Sequence, residues 1–206
     1  MSTRRPDRAQ GGGMDEREIL YVDTATEWEA WLDAHHADTD GVRLAILKKS
    51  AGGTAAYGEY LDVALCYGWI DGRRNGLDDS RFLQLFTPRT KSSIWSVRNR
   101  DHIERLIASG AMRPAGLAEV ERAKADGRWA AAYPPQSTAE VPPDLADALA
   151  GNAEAAAFFA AISGQNRFAI LFRIANVKRA ETRARKIAEY VDMLARHETI
   201  YPQPQK

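Results

Sequence analysis

The chain has 206 residues, 28 basic and 28 acidic side chains, and a formal net charge of zero. Hydrophobic residues make up 45% and charged residues 27%, globular proportions that suit one domain or a domain with a helical appendage. The single cysteine, Cys66, excludes an intrachain disulfide and a thiolate metal cluster.

In chain order, residues 1–13 are Arg-rich, end on Gly11-Gly12-Gly13 and read as a disordered leader, with Met14 a candidate start. No secretion signal and no run of 18 apolar residues is visible, so the expected address is the cytoplasm, without a membrane span. Glu18 to Val22 reads as a strand and Glu27 to His35 as a helix with Trp28, Trp31 and Leu32 on one face. Val42 to Leu47 is a second strand, Glu59 to Tyr67 a helix stopped by Gly68, and Trp69 to Asp71 a short extended piece. Arg73 to Asp79 carries the turn signal Asn75-Gly76, and Phe82 to Phe86 is a β-prone central strand.

Beyond these the pattern is helical. Helices are expected over Asn99–Ala108 and from Pro114 to about Asp126. Four prolines between Pro134 and Pro143 make an extended connector, and helices follow near Asp144–Ala150, Ala153–Ala161 and Arg167–Arg196. The predicted class is α+β, a small mixed-sheet domain followed by a helical region. The divisions are leader 1–13, mixed domain 14–129, connector 130–143 and helical region 144–198.

Two stretches concentrate unusual residues. In the first, a helix ends on Gly68 and alternation puts Trp69 and Asp71 on one face, either as a pocket wall or as a core Trp with a turn-capping Asp. In the second, Phe86 to Arg100, cations and hydroxyls crowd a strand-to-helix junction, where free backbone N–H groups favour an anion. The competing reading there is helix capping beside a buried Trp. The candidate ligand-binding set is Trp69, Asp71, Arg89, Ser93, Trp95 and Asn99, for a small anion.

No metal is expected, because His35, His36, His102 and His197 lack partners at ligand spacing, and no cofactor fingerprint is present. Cys66 reads as a packing cysteine. Acids dominate Met14–Gly41, nine against one base, and bases dominate Arg167–Lys186, seven against one acid. That basic end offers a surface for a protein partner. Nucleic acid is not expected, since the chain has neutral charge and no recognition motif. A helical wheel run through Ile170, Ile174, Val177, Ala184, Ala188 and Val191 places Glu181 inside the apolar stripe, either as a buried structural latch with Arg185 the nearest cation by sequence, or as part of a site.

Five ordered blocks carry a resemblance. They are Ala64 to Gly72, Phe86-Thr87-Pro88-Arg89, Ser93-Ile94-Trp95-Ser96, Val141 to Leu145, and Lys178 to Ile187. Together the chain resembles the YdeI/OmpD-associated (bacteriocin-protection) family from about Ile19 to Leu194. The resemblance implies protection against bacteriocins or cationic antimicrobial peptides and association with an outer-membrane porin. It brings no catalytic residue. The expected function is binding or stress protection. The alternatives are an enzyme on a small anionic metabolite, with Asp71 or Glu59 as general base, and a scaffold using the basic last helix.

Overall fold

In the computed structural model, which describes residues 17–53 and 56–203, β1 (Ile19–Val22) and β2 (Val42–Leu47) run parallel, Ile19 opposite Arg43. The leader expected over 1–13 lies outside the described residues. A parallel pair needs a crossover, and α1 (Ala25–His35) supplies it. Its start is fixed by Thr24 Oγ1, which accepts from Glu27 N–H at 3.1 Å, while the Glu27 carboxylate accepts from Asp23 N–H at 2.8 Å.

After α2 (Tyr57–Cys66), β3 (Trp69–Gly76) and β4 (Arg81–Pro88) complete a four-stranded sheet of order β1-β2-β4-β3. β4 is antiparallel to both neighbours. The turn lies later than expected, because β3 runs on through Asn75-Gly76. Asp78 makes the reversal, its Oδ1 accepting from Ser80 N–H and Arg81 N–H at 2.7 and 2.8 Å. The register shifts between Asp71 and Arg74, and buried Gln84 donates from Nε2 to Gly72 O at 2.9 Å. A backbone carbonyl at the bulge is thereby satisfied by a side chain.

One face of this sheet is covered by α1 and α2. Trp28 lies 5.4 Å from Phe86 and 6.0 Å, edge-on, from Trp69, and its Nε1 donates to Tyr60 O. Trp28, Leu32, Tyr60, Leu65, Trp69 and Phe86 are buried, so aromatic residues of four separate elements form the core. Beyond Pro88 the described residues hold no strand, only a bridge between Ser96 and Tyr133. The fold is α+β: an N-terminal mixed sheet, then a mostly helical C-terminal region.

The helices are α3 (Val97–Ala108), α4 (Pro114–Ala125), α5 (Pro143–Ala150), α6 (Ala153–Ala161), α7 (Gly164–Ala175) and α8 (Ala180–Ala195). The chain divides into two compact units, one reaching Ser93 and including His102–Gly127, the other formed by Ile94–Asp101 and the chain from Arg128 onward. In the second unit Leu145, Phe159, Ile170, Ile174, Ile187 and Leu194 belong to one buried cluster. The proline-rich connector contains a 3₁₀ turn at Gln136–Thr138. No single helix among the described residues is long and apolar enough to cross a membrane.

The helix expected over Arg167–Arg196 is two helices. Asn176 folds its amide onto Phe172 O at 2.7 Å and Arg183 donates to Ile174 O at 2.8 Å, so the last carbonyls of α7 are capped by side chains. The break resets the helical phase, and the wheel carried across it fails. Glu181 is exposed in the first turn of α8, and Arg185 is 3.7 Å from Glu189. The buried Glu181–Arg185 latch is absent among the described residues. A first-turn carboxylate in water faces the positive end of the helix dipole and needs no burial.

Candidate functional site

The six residues proposed as an anion site fall in both units, Trp69, Asp71, Arg89 and Ser93 in the first, Trp95 and Asn99 in the second. Trp69 is buried, and its Nε1 donates to His36 O at 3.2 Å. Asp71 shares its face, as alternation requires, and accepts from Tyr57 Oη at 2.7 Å. Arg89 is buried at the end of β4, its backbone N–H donating to Gly68 O. Ser93 Oγ accepts from Thr90 N–H at 2.8 Å and closes the turn beyond it. In the second unit, buried Trp95 packs 4.9 Å from Trp129, and Asn99 N–H donates to the capping Ser96 Oγ.

The alternative general bases are engaged in structure. Glu59 accepts from Ala56 N–H at 2.8 Å, an N-terminal cap for α2. Asp62, three residues further along α2, joins this helix to α3: it lies 2.5 Å from His102 Nδ1 and 2.5 Å from Arg105 Nη2. Cys66 sits one helical turn on. Burial, reinforced by the carboxylates of Asp62 and Glu29, pushes its thiol up to about 11, so it is a thiol and not a nucleophilic thiolate at neutral pH. No group of three metal-ligating side chains occurs among the described residues.

A different place in the molecule has the form of a binding site. In the second unit a cavity of about 150 Å³ opens between the connector and α7. Its walls are Tyr133, Pro134, Ala139, Glu140 and Pro142 from the connector, Phe168, Leu171, Phe172 and Ala175 from α7, and Arg183 from α8. Tyr133 is held by its own backbone, its N–H donating to Trp95 O at 3.0 Å and its carbonyl accepting from Val97 N–H at 2.9 Å. Phe168 and Phe172 are one turn apart on α7, which starts at the Ser163 cap. Arg183 is fixed by Asp144, which takes Nε at 2.6 Å and Nη2 at 2.9 Å.

The three rings are inclined to one another. Tyr133 stands edge-on to Phe172, centroids 4.8 Å apart at 80°, and lies 6.4 Å from Phe168 at 47°. All three are half-buried. Apolar walls with a few convergent polar groups are the usual make-up of a small-molecule site. The sequence carried a signal for it, a Tyr beside two prolines and a Phe pair at helical spacing. That signal was hidden by treating the prolines as a mere linker.

Comparison with known families divides the chain in a similar place. Residues 20–119 match a model described as a domain of unknown function (DUF8412). Residues 138–197 match one described as Bacteriocin-protection, YdeI or OmpD-Associated. The family likeness therefore covers the helical part of the chain, and the blocks between Ala64 and Ser96 lie in the stretch that matches the other model. No curated protein and no solved structure matches the chain.

Proposed function

We propose that this is a binding protein, and that its ligand enters the cavity between the connector and α7. The observation that carries the reading is the set of half-buried aromatic rings around that cavity. Most of its lining, Ala139 to Arg183, belongs to the segment similar to the bacteriocin-protection family. A protective role is then binding work, sequestering or sensing a small molecule. The test is saturation-transfer NMR of a mixed set of small metabolites against the full chain and against Ala175→Trp, which fills the cavity. Some compound should receive saturation from the parent and lose it with the filled variant. A set that behaves identically with both proteins would contradict the reading.

A second reading concerns the first unit, where Arg89 and Lys91 flank a cluster of hydroxyls, Thr90 Oγ1 lying 3.0 Å from Ser92 and 3.2 Å from Ser93. There a small anion is the ligand, as the sequence suggested. Phosphate should raise the thermal midpoint of the parent by mass action, and Arg89→Ala should remove the rise. No rise in the parent would end this reading.

A further inference from the structure

Resting on the cavity reading above, we infer that the ligand's buried part is a methylated or quaternary ammonium group, held by Tyr133, Phe168 and Phe172 with Glu140 at the rim. Size comes first. About 150 Å³ is well below the volume that holds a drug-sized molecule and is enough for a benzene-sized guest, so the cavity takes a head group rather than a whole ligand.

Ring geometry comes second. Phe168 and Phe172 are 5.8 Å apart at 36°, and the two Tyr133 contacts are steeper still. No pair is a parallel stack, and Tyr133 meets Phe172 edge to face. The negative faces of several inclined rings attract a soft cation, and alkylated ammonium gains most because it gives up little hydration on entry.

Charge decides between a cation and a neutral guest. Two charged residues line the cavity, Glu140 and Arg183. The Arg183 guanidinium is neutralised by the Asp144 carboxylate and also donates to Ile174 O. Glu140 is exposed and makes no ion pair with a described residue. The lining is therefore left with one uncompensated negative charge beside three aromatic rings. An anionic guest would meet that carboxylate, whereas an ammonium is attracted by both features.

The experiment compares choline with its neutral isostere 3,3-dimethyl-1-butanol by calorimetric titration into the full chain. Choline should bind roughly tenfold or more tightly than the isostere. Phe172→Leu, which keeps an apolar side chain and removes the ring, should weaken choline by a larger factor than it weakens the isostere, narrowing the gap between the two. Glu140→Gln should weaken choline severalfold and flatten its salt dependence. Equal affinity for choline and isostere would overturn the inference, as would choline binding untouched by Phe172→Leu or by Glu140→Gln. If other compounds bind the parent and not Ala175→Trp while choline binds neither, the cavity reading stands and the ammonium assignment falls. If no compound distinguishes parent from Ala175→Trp, both fall.

Discussion

Arg183 holds Asp144 through two parallel hydrogen bonds, Nε to Oδ2 at 2.6 Å and Nη2 to Oδ1 at 2.9 Å, and so joins α8 to the start of α5. The guanidinium holds the Asp144 carboxyl below the usual carboxylate range, its hydrogen bonds outweighing the opposing effect of burial. A depressed folded-state value means the contribution to stability is complete above the ordinary carboxyl value near 3.8 and is lost as pH falls through the lower one. Both side chains are partly exposed, so Asp144→Asn should cost no more than about 1 kcal/mol at neutral pH. Urea midpoints of parent and variant should converge in acid. An undiminished gap at about pH 2 would contradict the assignment.

Gly116 lets α4 press against the end of α2. A Cβ there would fall on the carbonyl oxygen of Cys66, the same oxygen that accepts from Arg113 N–H at 3.1 Å. The backbone is helical, so glycine is needed for space and not for conformation. Gly116→Ala should destabilise by about 1–3 kcal/mol, the cost of overpacking. An unchanged denaturation midpoint would mean that α4 sits further out.

Cys66 should be chemically silent in the folded chain. With its thiol raised above the ordinary value near 9 to about 11, thiolate absorbance should grow only at strongly alkaline pH. Labelling by a thiol reagent at neutral pH should be slow until denaturant is added. The raised value also means that any stability tied to the neutral thiol is intact below about pH 9 and declines as pH rises towards 11. Rapid labelling of the folded chain at neutral pH would show that the thiol is accessible and ionised.

Glu181→Ala should leave stability within about 0.5 kcal/mol of the parent, as expected for an exposed position without a partner. Urea denaturation decides it, and a loss well beyond 1 kcal/mol would restore a buried role.

The sheet half was legible because its signals are local. Alternation brought Trp69 and Asp71 to one face, and the apolar run Phe82 to Phe86 lies within the central strand β4. The turn was misplaced because Asn75-Gly76 is a strong dipeptide signal, while the reversal is made by the Asp78 side chain acting on Ser80 and Arg81. The long C-terminal helix was misread for a similar reason. Periodicity continues from Ile170 towards Val191, and the interruption comes from Asn176 and Arg183 capping the last carbonyls of α7, contacts no wheel contains. The connector cavity needs Tyr133 and the Phe168–Phe172 pair brought together across more than thirty residues of chain. Composition gave each residue, and the tertiary fold gave their meeting.

The central claim is that the rings of the connector cavity hold the ligand, and intermolecular NOEs test it most directly. With aromatic resonances assigned, the methyl protons of bound choline should show NOEs to the rings of Tyr133, Phe168 and Phe172 together, and these should vanish in Ala175→Trp. NOEs to rings elsewhere in the same unit, such as Phe158 or Tyr201, or their persistence in Ala175→Trp, would place the ligand outside this cavity and contradict the account.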